Sequence, residues 1–86
     1  MKMKRVKLVY VEWLDSQGVT SGWQDFSHYK PSLPVMRSCG WVVHEDKSSI
    51  SLCASIGDET PTTLYQGNGI MTIPKICILS KKVIKN

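Results

Sequence analysis

Two histidines and three cysteines are the first side chains to weigh for covalent or metal chemistry in this chain. His28 and His44 are sixteen positions apart, and neither sits beside a serine, cysteine or acid in a recognised catalytic string. A nucleophile needs a base within hydrogen-bond reach, and the sequence names no such pair. Cys39, Cys53 and Cys77 form no CxxC pair and have no histidine at metal-ligand spacing. Zinc needs about four well-spaced ligands, so no metal is expected. An odd cysteine count also argues against a secreted disulfide framework. The three are expected to be small buried hydrophobes. Gly67-Asn68-Gly69 is too short for a phosphate-cradling loop. The expectation is a protein without catalytic residues, metal or cofactor.

Non-covalent recognition has more to work with. Trp23 lies in a glycine-bounded loop beside Asp25, Phe26, His28 and Tyr29. So many rings would overfill a loop unless they pack on the body of the protein or on a partner. They therefore form either a plug over an open barrel end or a stacking surface for a base or nucleotide, where aromatic platforms pair with basic groups. Lys30, Arg37 and Lys75 are the cations expected to reach phosphate. Trp23, His28, Tyr29, Lys30, Arg37 and Lys75 are thus the candidate ligand-binding set. Asp15 and Asp25 read as turn and cap residues.

The elements that must position these groups are strands. With 86 residues, one small domain is expected, and 42% apolar residues suffice for a packed core. Residues 5 to 14 have strand composition, with Val9, Val11 and Trp13 on one face and Leu8, Tyr10 and Glu12 on the other. A loop of about twenty residues follows, long for so small a domain. Pro31 and Pro34 exclude a regular strand or long helix there, although a short helical turn fits over Ser27 to Lys30. Residues 36 to 46 and 49 to 56 form a hairpin about Lys47-Ser48. That turn pairs Val43 with Leu52, Trp41 with Ala54 and Cys39 with Ile56, which puts all six on one face with His44 outward. Gly40 in mid-strand suggests a bulge or bend. Trp13 and Trp41 are expected in the core.

Residues 57 to 63 read as a loop tip and Gly67 to Gly69 as a tight turn. A fourth strand covers 70 to 73. Pro74 cannot donate to a ladder, so a single tight helical turn over Pro74 to Ile76 leads to a fifth strand, 77 to 84. The result is an all-β, SH3-like barrel of about five antiparallel strands with a long first loop, in which the last strand returns beside the first.

Net charge is +4, and its placement matters. Lys2, Lys4, Arg5 and Lys7 open the chain; Lys75, Lys81, Lys82 and Lys85 close it, and every acid lies between. Neighbouring first and last strands would merge the clusters into a basic band that attracts anions, nucleic acid included. The alternative reading is that these lysines flank edge strands to keep them soluble and unpaired. No apolar run approaches the roughly 18 residues of a spanning helix. The basic start lacks a signal-peptide cleavage site, so a cytoplasmic protein without membrane contact is expected.

Two resemblances add context. Gly40-Trp41-Val42-Val43 with the acidic turn and Ile50 to Leu52 resembles the second and third strands of the Sm-like barrel family, and Ile73-Pro74-Lys75 resembles its closing motif. That family opens with a helix and this chain does not, so its ring-shaped RNA-binding assembly is not carried over. A wider resemblance spans about 70 residues. Val11-Glu12-Trp13-Leu14-Asp15-Ser16, Gly22-Trp23, Gly40-Trp41-Val42-Val43 and Ile73-Pro74-Lys75 are similar to small accessory proteins of tailed phages. This resemblance implies a phage protein in the host cytoplasm, binding and inhibiting or sequestering part of a bacterial defence or regulatory system. The target would be a host protein or a small anionic nucleotide. A nucleic-acid-binding module and a minor virion component are the alternatives.

A homo-oligomer is also expected. Trp13, Trp23, Trp41, Tyr10, Tyr65, Ile76 and Ile78 cannot all point inward along alternating strands. The fourth and fifth strands, with Ile70, Ile76 and Ile78, are the expected interface, with a composite anion pocket near Lys75.

Overall fold

The computed structural model describes residues 6–57 and 66–86. The loop tip at 58–63, Tyr65, Lys2, Lys4 and Arg5 lie outside the described residues. Five strands, β1 (Leu8–Leu14), β2 (Val35–Glu45), β3 (Ser49–Gly57), β4 (Gln66–Pro74) and β5 (Ile78–Lys85), form one antiparallel sheet. A 3-10 turn, Lys75–Cys77, joins β4 to β5. The sheet order is β4-β3-β2-β1-β5, so the last strand does lie beside the first. The all-β, SH3-like expectation holds, with the barrel left open between its two edges, β4 and β5.

The inner face follows from the alternation in β1. Val9 and Val11 are buried with Ile50, Leu52 and Ile73, and Trp13, Val42 and Ile78 pack against them. Fully burying aliphatic side chains of this size contributes about 1.5–3 kcal/mol each. Trp13 lies over this core, where its Nε1 donates to Ser38 Oγ at 3.0 Å, satisfying the polar edge of a packed indole.

The hairpin turn is where it was expected, but the register beyond it is not. Asp46 N donates to Ser49 O at 3.0 Å, and Asp46 Oδ1 accepts from Ser48 N and Ser49 N. Glu45 pairs with Ile50 and His44 with Ser51, as a Lys47-Ser48 turn requires. An irregularity between Val42 and His44 then shifts the register by one, so Val42 meets Leu52 and Trp41 meets Cys53. Trp41 consequently leaves the core face, correcting the expectation that it joins Trp13 there. Leu8, Trp41, Cys53 and Ile70 form one row across the opposite face.

The bulge falls at Val43 and not at Gly40. Gly40 meets a different demand: a Cβ there would stand 3.0 Å from Leu52 Cβ and 3.2 Å from Cys53 O. Gly67-Asn68-Gly69 is likewise not a turn. It lies inside β4, with Gly67 opposite Ile56 and Asn68 opposite Ser55. A side chain at Gly67 would collide with the Cys53 sulfur, and Gly69 takes φ +75°, a left-handed conformation that glycine adopts without steric cost. The cysteines are not uniformly buried either: Cys53 is, Cys77 is half-buried and Cys39 is exposed.

Candidate functional site: an exposed aromatic arm

The β1–β2 connection is an arm built on local hydrogen bonds. At its base Asp15 N donates to Pro34 O at 3.0 Å. Asp15 Oδ1 accepts from Ser16 N, the turn role expected of it. Further out, Gln17 Oε1 accepts from Ser32 N at 3.2 Å, from Ser32 Oγ and from Tyr29 OH. These contacts tie the two limbs together. At the tip Asp25 organises a single turn. Its backbone oxygen accepts from His28 N and Tyr29 N, while its carboxylate accepts from Ser27 N, Ser27 Oγ and His28 Nδ1. The Ser27 hydroxyl and amide hold the Asp25 carboxyl below the usual range. A carboxylate capping its own turn in this way is a common Asx device.

This scaffold displays its rings to solvent. Trp23 is 103% exposed and Phe26 94%. Neither plugs the barrel: the rings are held away from the sheet, and the plug reading is thereby corrected. Tyr29 is partly shielded, its hydroxyl engaged by Gln17. Lys30 stands on the same arm. Sequence reasoning placed Trp23, His28, Tyr29 and Lys30 in the candidate set; it counted Phe26 among the rings of the loop without adding it to that set, and it did not name Val19, which is 103% exposed. Their signal was the absence of alternation in a polar, proline-bounded segment.

The remaining candidates lie elsewhere. Arg37 Nε donates to Glu12 Oε2 at 2.9 Å on the outer face of the sheet. Glu12 also accepts from Tyr10 OH and Ser80 Oγ. Its carboxyl is held low, first by the Tyr10 hydroxyl and then by Arg37 and Ser80. Lys75 is at the far end of the molecule. Its backbone N donates to Ser48 O at 2.8 Å, and its Nζ pairs with Glu45 Oε2 at 2.9 Å. The arm joins β2 at Val35, whereas Lys75 sits beyond Glu45. Ten strand steps correspond to about 33 Å of extended chain. The six candidates therefore do not converge on one pocket: four share the arm, Arg37 lies on the sheet and Lys75 is at the opposite end.

Around Lys75, an open depression of 260 Å³ is lined by Glu45, Ile50, Lys75, Ile78 and Lys81. Lys81 reaches Glu45 at 3.4 Å, so one carboxylate is shared by two ammonium groups. Lys75 and Lys81 hold the Glu45 carboxyl below its usual range. The basic band takes partial form as β5 pairs with β1: Lys82 is opposite Tyr10 and Lys85 opposite Leu8. Among the described residues no group of three His, Cys, Asp or Glu could hold a metal ion. No helix of the described residues is long and apolar enough to cross a membrane.

These features define a small all-β protein with a protruding aromatic arm. No family model, curated protein or solved structure matches the chain.

Proposed function

We propose that the chain is a non-enzymatic binding protein of phage type that captures a component of a bacterial defence or regulatory system through the β1–β2 arm. The supporting observation is the pair Trp23 and Phe26, fully exposed on an arm that is ordered by its own hydrogen bonds. Large rings left in water cost hydration free energy that burial in a partner's pocket recovers. Tryptophan is also among the residues most enriched at binding hot spots. A loop that is already ordered loses less conformational entropy on docking.

Within this reading the target is a host protein with an apolar pocket. Of the cations suggested for phosphate, Arg37 and Lys75 are engaged by Glu12 and Glu45 and lie away from the arm. That leaves His28 and Lys30 near the rings, and the Asp25 carboxylate holds the His28 side chain. This is little positive charge for an anionic nucleotide. Affinity capture from a bacterial lysate, with mass spectrometry of retained proteins and small molecules, tests the assignment. A stoichiometric host protein is expected; a retained nucleotide with no protein would overturn the choice of target, and an empty column the function.

One observation favours a second reading, nucleic-acid binding. The β1–β5 pairing places Lys82 and Lys85 beside Tyr10 and Leu8 on one side of the sheet. Binding by such a band would weaken steeply with salt as counterions are released. Oligonucleotides that give no gel shift at about 50 mM salt, where such binding is strong, would dispose of it.

A further inference from the structure

The two edges of the sheet are not equivalent. β5 carries Lys81, Lys82 and Lys85, and lysines on an edge strand discourage pairing with another chain. β4, Gln66-Gly-Asn-Gly-Ile-Met-Thr-Ile-Pro74, carries no charged residue at all. Its only edge-protecting proline is at its last position. Its one buried side chain is Ile73, while Ile70 and Met71 remain 59% and 39% exposed. The run Ile70 to Ile73 combines β-branched and apolar residues with zero charge, a composition prone to intermolecular pairing when left open. Nothing among the described residues covers this edge.

Surface area indicates how much is left uncovered. The chain exposes 7022 Å², whereas a compact monomer of 9.7 kDa exposes about 5,100 Å². The excess, about 1,900 Å², is more than twice the roughly 800 Å² that each partner gives to a standard interface.

We propose that β4 pairs antiparallel with β4 of a second copy across a two-fold axis, joining two five-stranded sheets into one. The charge pattern selects this arrangement. Pairing β5 with β5 would set three lysines against three, and like charges opposite one another in a sheet are destabilising. Pairing β4 with β4 opposes only neutral side chains, and the same patch on both copies closes the assembly as a dimer. Gly69, at φ +75°, interrupts regular strand geometry just before Ile70, so the paired segment is Ile70 to Ile73. The expected interface over both β4 and β5 thereby narrows to β4. Ile78 packs against the core and takes no part. The arm is attached at the β1–β2 end and is not required for this contact.

Sedimentation equilibrium of the full chain at micromolar concentration is the test. Wild type is expected at twice 9.7 kDa. Ile70→Lys places a charge on the edge and is expected to weaken self-association at least tenfold, while Leu79→Lys on β5 leaves the dimer intact. A monomeric wild type overturns the proposal. So does dimer loss in Leu79→Lys but not in Ile70→Lys, which would place the interface on β5. A mass above the dimer also overturns it, because it would show head-to-tail pairing of β4 with β5. Should Ile70→Lys fail to fold, hydrogen exchange on wild type decides. The amides of residues 70 to 73 that point away from β3 should lose protection on dilution while those of β1 keep theirs; equal behaviour of both sets contradicts the proposal.

Discussion

Lys75 and Glu45 form a 2.9 Å ion pair that ties the 3-10 turn to the end of β2. Together with the Lys75 N to Ser48 O bond it fixes where β5 begins. Both side chains are about one-third exposed, so the pair contributes only modestly. Lys75→Ala is expected to lower unfolding free energy by no more than about 1 kcal/mol, the range of such surface pairs. Urea denaturation measures it. A much larger loss would mean that the turn, and not the charge, is being disrupted.

Acid should loosen the hairpin. Backbone amides of Ser48 and Ser49, with His44, hold the Asp46 carboxyl down to about 2. A lowered folded-state pKa stabilises above the unfolded value of 3.8 and is lost as pH falls through the folded one. Glu45 is shifted in the same direction. The thermal midpoint is therefore expected to fall from pH 4 towards pH 2. Asp46→Asn, which keeps an acceptor for Ser48 N, should show a shallower fall, and a slope identical to wild type would contradict this account.

Gly67 tests the packing of β4 on β3. Its Cα faces Cys53, whose Sγ donates to Ser55 O at 3.0 Å and Asn68 O at 3.2 Å. Gly67→Ala should cost about 1–3 kcal/mol, as overpacking does. In the Cys53→Ala background the same change should cost less. Additive effects in that double-mutant cycle would show that the two positions do not touch.

Ile73 is the one buried side chain of β4. Ile73→Ala should destabilise by about 2–5 kcal/mol, as core truncations do. Hydrogen exchange should then show β4 opening ahead of β1; uniform loss of protection would contradict a separate anchoring role.

The strands were legible in the sequence where alternation was strong. Val9, Val11 and Trp13 named the inner face of β1 correctly, and Pro74 correctly split the last apolar stretch at a helical turn. Two features were hidden. The Lys47-Ser48 turn was readable, but an extra residue at Val43 leaves no compositional mark, and it moved Trp41 to the other face. Gly67 and Gly69 carry the composition of a turn, yet one is needed for close approach to Cys53 and the other for its left-handed backbone. As for the site, the aromatic cluster was visible as composition. Whether it packed inward could not be read, because the Gln17 and Asp25 bonds that hold the arm out depend on tertiary placement of polar side chains.

The arm gives the most direct test of the central claim. Trp23 and Phe26 are 103% and 94% exposed, so Trp23→Ala/Phe26→Ala should leave stability within about 0.5 kcal/mol of wild type, as surface substitutions do. Affinity capture from a bacterial lysate, run side by side with wild type and this double variant, is the measurement. The account predicts a host protein retained in stoichiometric amount by wild type and lost with the variant. Equal retention by both, or retention by neither, would contradict it.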